Sequence, residues 1–392
     1  MKWELKSLDE IGFIGRGKSR HRPRNAEHLY GGDYPFVQTG DVKAANFKIN
    51  EYTQTYNEVG LAQSKLWKEG TLCITIAANI ADTAILGIDA CFPDSIIGFV
   101  PYEDKSDVRF VKYFFDIFQT RMKSIAVGAA QDNLSLEKLL TFKIPTPPLT
   151  TQRRIASILS AYDDLIENNL KRIKLLEEKA YLRYKQIVKS ESDKKRLALN
   201  DIAPITSSKR IFLSDYMENG IPFYRSKEII SKSNFNSIEN PLYISEEKYA
   251  DIKERFGVPL SGDLLITSVG TIGYTHLVND SDGAFYFKDG NLIWIRNLLQ
   301  KKLHYYLFFM FRTPEFKEVL NSLAIGSSQK ALTIEILKKI EVEIPKEQVL
   351  IDFNSNCQPI LELIYNLQKQ NVKLREARDI LLPRLMSGEI EV

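Results

Sequence analysis

Apolar positions along this chain follow two alternating regimes, and each regime occurs twice. Short β-branched and aromatic runs punctuated by Gly, Pro and Asn come first: YPFVQTGDV from Tyr34, TLCITIA from Thr71, TAILGI from Thr83 and SIIGFVP from Ser95. They predict a twisted, mainly antiparallel sheet with long loops. Val108 to Ile125 then carries apolar residues at helical spacing, so an amphipathic helix should pack on that sheet. From Gln152 to about Ser190 the apolar positions Ile155, Leu159, Tyr162, Ile166, Ile173, Leu176, Ala180 and Ile187 alternate steps of three and four, with Asn169 on the same stripe. That is the seam of a coiled coil. A helix of about 38 residues is about 57 Å long, more than one domain needs to cap its own core.

The order then repeats. IPFYRSKEI (Ile221 to Ile229) stands for the first run, SGDLLITSVG (Ser261 to Gly270) for the second and NLIWIRN (Asn291 to Asn297) for the fourth, while Leu303 to Leu320 stands for the helix. The match is closest after these segments. Gly128/Gly326, Gln131/Gln329, Leu134/Leu332, Leu136/Ile334 and Leu139/Leu337 are all 198 positions apart, and so are Leu176/Leu374, Glu178/Glu376, Leu182/Ile380 and Ile187/Leu385. A solenoid unit would recur about every 20–50 residues, so this period means two copies of one module. The second stripe runs Ile360, Ile364, Leu367, Leu374, Ala377, Leu381 and Leu385, with Asn371 on the same seam, Pro359 starting its regular stretch, Pro383 kinking its last turn and Gly388 ending it.

Neither stripe can bury itself alone. The two helices should therefore pair, and pseudo-twofold symmetry between the copies makes the pair antiparallel, with a globular domain at each end. An Asn on each seam costs stability but rejects registers in which its amide finds no partner. The expected class is α+β, with globular parts at 1–150 and 196–346 and long-helix regions at 151–195 and 347–392.

Composition narrows the chemistry. Lys plus Arg (53) barely exceed Asp plus Glu (50) in 392 residues, so any nucleic-acid surface must be local. Cys73, Cys91 and Cys357 are far apart and form no CxxC pair, and the four histidines are scattered, which disfavours a disulfide framework or a metal site. No run approaches the roughly 20 apolar residues a membrane helix needs, and no signal core opens the chain, as in a cytoplasmic protein.

Three formal motifs resemble catalytic signatures. Gly12 to Ser19 fits GxxxxGK[ST], but RHRPRN follows where the phosphate-binding helix should start. The better reading is a mobile basic loop in which Arg16, Lys18, Arg20, Arg22 and Arg24 clamp phosphate; Lys209 and Arg210 of the shorter SSKR sit at the matching place. Pro93-Asp94 with Glu103 and Lys105 spells a nuclease signature, yet a whole predicted strand separates carboxylates that would have to share one metal ion. Asn240-Pro241-Leu242-Tyr243 approaches a methyltransferase tetrapeptide without the glycine-rich turn such an enzyme needs. A self-contained nuclease or NTPase is thus the weaker alternative.

The repeated pattern is Gln131 with NLSLEKLLTFKIPTPPLTTQ and the helix ending LRYKQIV, echoed by Gln329 with ALTIEILKKIEVEIPKEQ and the ending LLPRLMSGEIEV. It resembles the specificity subunits of type I restriction-modification systems over the whole chain. The resemblance implies two target-recognition domains, each reading one half of a split target on double-stranded DNA, with the helix pair as spacer. It implies no catalysis and no cofactor in this chain. Two methyltransferase subunits would bring S-adenosylmethionine, and two restriction subunits would bring ATP-driven, magnesium-dependent cleavage. For base contacts the residues after the two PF strands are the candidates: Gln38 and Thr39 in the first domain, and Arg225, Ser226 and Lys227 in the second. The duplication also implies that a half-length chain ending near Ser190 pairs with itself on a palindromic target.

Overall fold

The structure is a computed structural model that describes all residues except 1–2, 78–80, 126–134, 237, 239, 299–301 and 327–328. The repeat anchors Gly128, Gln131 and Leu134 therefore lie outside the described residues. The chain divides into two compact units, Met1–Asn168 with Lys373–Val392, and Asn169–Val372.

The first unit carries two mixed sheets. One has the order Gly12–Arg16, Ile96–Pro101, Leu72–Thr75, Thr83–Leu86, Lys48–Ile49, antiparallel except for its last pairing. The other runs Gln54–Tyr56, Tyr30–Phe36, Ala90–Cys91, Leu66–Trp67, with Phe36 beside Cys91 in the parallel sense. Leu72–Thr75 is buried at every position, which explains a run that is apolar throughout. The core gathers Leu72, Ile74, Phe99, Phe110, Phe115 and Leu139 with Ile155, Leu159, Leu382 and Leu385 from the long helices.

The second unit repeats this topology with fewer strands. Ile205–Thr206, Leu292–Ile295, Leu264–Thr267 and Thr275–Leu277 form one sheet; Tyr216–Met217, Leu242–Ile244, Ile221–Tyr224 and Tyr286–Phe287 form the other, again with one parallel pairing, Phe223 beside Tyr286. The sheet helix differs between copies. In the first unit it is one helix, Val108–Ile125; in the second it is split into His304–Arg312 and Pro314–Leu323. Proline explains the break: Thr313 before it is extended (φ −64°, ψ 143°), and its hydroxyl accepts from Phe316 N to cap the new helix.

The two long helices are Leu149–Ser190 (42 residues) and Glu347–Met386 (40 residues). The second does not begin its regular stretch at Pro359. It runs through both Pro359 and Pro383: beside the first, Cys357 and Leu361 are buried in the core of the second unit, and beside the second, Leu382 and Leu385 are buried in that of the first. Gly388 lies just beyond the end at φ +74°, a conformation that L side chains avoid, and its N–H bonds Leu385 O.

Within each unit the helices run antiparallel. In the first unit, Ile155 and Leu159 share a core with Leu385 and Leu382, and Asp163 bonds Arg378. In the second, Asn169 Nδ2 donates to Asn371 Oδ1 at 2.9 Å, and further along Tyr184 meets Phe353. Ile166 and Ile173 are buried, while Tyr162, Leu176, Ile360, Leu374 and Leu381 are half-buried. In the second helix the buried positions are Leu350, Phe353, Cys357, Leu361, Ile364, Leu367 and Asn371, followed by Leu382, Leu385 and Met386.

Candidate nucleic-acid interface

In the first unit the basic segment leaves the strand Gly12–Arg16 and is pinned in place by hydrogen bonds. Gly17 N bonds Ile96 O at 2.9 Å and Lys18 N bonds Phe92 O at 3.0 Å. A Cβ at position 17 would sit 2.3 Å from Phe92 O, so this approach requires glycine. Gln63 Oε1 accepts from Arg20 N at 2.5 Å and His21 N at 3.0 Å, and Ser64 Oγ donates to Lys18 O at 2.7 Å. The loop expected to be mobile is thus laced to the segment Gln63–Ser64.

This lacing sorts the five cations. Arg24 pairs with Asp94 at 2.5 Å and Arg22 with the same carboxylate at 3.7 Å, so these two already have an anion. Arg16, Lys18 and Arg20 are exposed and have no ion pair among the described residues. A sixth cation joins them. Lys65 Nζ lies 3.6 Å from the Trp67 ring centroid and 4.7 Å from that of Phe13; burial first, and then the nearby charge of Lys18, holds its pKa below the usual value. A cation destabilised by desolvation and by a like neighbour gains from an incoming anion. Lys65 was not legible as part of the site because 47 positions separate it from Lys18 and only the fold brings them together.

The same segment positions the base-reading candidates. Consecutive carbonyls, Cys91 O and Phe92 O, accept from Val37 N and Lys18 N, so Gln38 and the basic loop hang from adjacent peptides. Gln38 precedes the short helix Thr39–Ala44, where its N–H donates to Asp41 Oδ2 at 2.8 Å and its side-chain amide reaches Gln54 Oε1 at 2.5 Å; Thr39 is half-buried.

The second unit repeats the plan with other side chains. Arg225 precedes the helix Ser226–Ser233, and its N–H donates to Glu228 Oε2 at 2.8 Å, as Gln38 does to Asp41. Its guanidinium also grips Glu228, Nη2 to Oε1 at 2.8 Å, and Lys227 approaches the same oxygen at 3.4 Å. Burial pushes the Glu228 carboxyl up, but the bonds from Arg225 outweigh it and leave the group below its ordinary range. Ser226 Oγ is buried without a partner among the described residues. Lys209 N donates to Tyr286 Oη at 2.7 Å while its ammonium lies 4.6 Å from the Phe256 ring, and Arg210 pairs with Asp289 at 3.2 Å. The strand Tyr286–Phe287 thus holds Lys209 on one side, and its following residue, Lys288, bonds Tyr224 O beside Arg225.

The formal catalytic motifs find no support in this geometry. Gly12 to Arg16 is a strand and no helix follows it to hold a phosphate. Asp94 and Glu103 lie beyond opposite ends of the strand Ile96–Pro101, and Asp94 is occupied by arginines. Among the described residues no group of three His, Cys, Asp or Glu side chains could hold a metal ion, and no helix is long and apolar enough to cross a membrane.

Each unit thus carries one copy of the same two-sheet module, and within each unit the two long helices run antiparallel. The chain belongs to the type I restriction modification DNA specificity domain family, whose sequence model matches residues 1–178 and again 191–353. It is 27% identical over 423 residues to the type I restriction enzyme MjaIX specificity subunit of Methanocaldococcus jannaschii, covering 100% of this chain and 94% of that one. It is 24% identical over 313 residues to the MjaVIII specificity subunit of the same organism, covering 73% and 71%. In fold it is similar to the type I restriction-modification S subunit from M. genitalium, with a TM-score of 0.59, 16% identity and coverage of 98% and 96%.

Proposed function

We propose that this chain is the DNA-recognition subunit of a type I restriction-modification system, reading a bipartite target with one half-site per domain. The observation that carries the reading is the double match of the specificity family, once on each globular part. Its relatives are named as specificity subunits, and the chain itself supplies recognition rather than catalysis. In this reading two methyltransferase subunits dock on the chain, bringing S-adenosylmethionine, and two restriction subunits complete the assembly with ATP and magnesium.

The basic loop fits the phosphate-binding part of that task. Lys18, Arg20 and Lys65 present positive charge with no ion pair among the described residues, and Arg16 does so within electrostatic reach of Glu137. Gln38 and Thr39 in one unit and Arg225 and Lys227 in the other offer donors to base edges, whereas the Ser226 hydroxyl is buried. Phosphate contacts position the domain and base contacts specify the sequence. Titration of the purified chain with duplex DNA at several salt concentrations tests this reading. Binding should weaken steeply with salt, and salt-independent binding or none would count against it.

A further inference from the structure

The long helices carry two polar pairs, and neither has a polar counterpart in the other copy of the repeat. Asn169 donates to Asn371 with both side chains buried, at 7% and 2% exposure. Their equivalents, 198 positions away, are Leu367 and Ile173, both buried and apolar in the same cluster. Four residues along one helix and four back along the other from the Asn pair, they form the neighbouring layer. The second pair is Asp163, 1% exposed, with Arg378 Nη1 on one oxygen and Tyr113 Oη on the other at 2.5 Å. Its equivalents are Leu361 and Ala180, both 0% exposed in the core of the second unit. Burial acts to lower the Arg378 pKa, but the carboxylates of Asp163 and Asp379 outweigh it, so this half-buried group keeps its charge.

We propose that these two layers are a selectivity device that lets the first long helix pair only with the second, and never with its own kind. The register carries the argument. If two copies of the first helix paired in the observed register, Asp163 would meet Ala180 of the other copy and Asn169 would meet Ile173, each mismatch occurring twice. If two copies of the second helix paired, Arg378 and Asn371 would likewise face Leu361-side and Leu367-side apolar surface. A self-pair therefore buries two unpaired charges and two unpaired amides, whereas the unlike pair satisfies every charge. The apolar seam alone would not discriminate, since leucine and isoleucine accept either partner. Even in the unlike pair Asn371 Nδ2 has no acceptor among the described residues, so the Asn layer favours specificity over stability. The duplicated halves thus no longer form the symmetric self-pair that the repeat alone suggests, and an unlike pair of recognition domains is enforced.

The inference concerns pairing and needs no DNA, so its failure is separate from failure of the recognition reading. The test uses the whole chain, co-expressed as residues 1–192 and 193–392, with each fragment present under two different tags. Unlike fragments should co-purify one to one, and differently tagged copies of the same fragment should not. In a variant with the equivalent apolar residues installed, Asp163→Leu, Asn169→Leu, Asn371→Ile and Arg378→Ala with Tyr113→Phe, like fragments should co-purify as well. Like pairs in the wild type, or failure of the unlike fragments to associate, would overturn the proposal. A second measurement uses the intact chain: Arg378→Ala alone should lower the urea unfolding midpoint more than the five-residue variant does. An equal or smaller effect would also overturn it.

Discussion

Arg225 holds the Glu228 carboxylate through both its backbone N–H and its guanidinium, each at 2.8 Å, in the second domain at the place where Gln38 and Asp41 stand in the first. Glu228 is 2% exposed, so the arginine fulfils a structural role while its own side chain stays 31% exposed. Arg225→Ala should therefore have two effects: loss of about 1–3 kcal/mol from an unsatisfied buried acceptor, read by urea unfolding, and weaker discrimination at one half-site. Gln38→Ala, with no buried charge at stake, should alter discrimination at the other half-site with little change in stability. Equal stability loss in both variants would contradict this division.

The basic loop separates into free and occupied cations. Replacing Arg16, Lys18 and Arg20 together with Gln should weaken binding to all duplexes alike and reduce the salt slope by about 2–3, one unit or slightly less per phosphate contact. Arg22→Gln with Arg24→Gln should do less, because Asp94 already neutralises much of that charge. Asp94→Asn should strengthen non-specific binding. Fluorescence anisotropy across a salt series checks all three.

His304 is buried, and burial pushes its pKa down from 6.5 to about 4. The unfolded chain therefore takes up the proton before the folded one does. The stability this neutral imidazole permits is complete above about pH 6.5 and is lost as pH falls toward 4, by about 3 kcal/mol at most from the roughly 1.4 kcal/mol attached to each pH unit. His304→Leu should remove that part of the acid slope. An unchanged slope in urea unfolding between pH 7 and pH 4.5 would refute the assignment.

How much was legible in the sequence can be argued from particular residues. The period of 198 and the Asn on each seam were visible because helical repeats and duplications are local patterns. The buried face of the second helix was read one residue off at two places: Leu361 and Leu382 are buried where Ile360 and Leu381 are half-buried. A stripe read at 3.5 residues per turn drifts on a helix of 3.6, which moves the buried position forward at Leu382 but gives no account of the shift at Leu361. Asp163 and Arg378 are not legible as a pair, since charged residues on a helix normally face water and nothing in the sequence signals a partner 215 positions away. The cations of the basic loop were evident, but Asp94, which occupies two of them, and Lys65, which joins them, are brought in only by the fold.

The central claim is that two domains of one chain read two different half-sites. Mapping methylated adenines in DNA from cells carrying this chain with its methyltransferase subunits tests it most directly. The account predicts one non-palindromic target, two short defined sequences separated by a fixed run of unspecified bases, with Arg225→Ala loosening one half and leaving the other intact. Methylation without sequence preference, at a continuous target, or at a palindrome would contradict it.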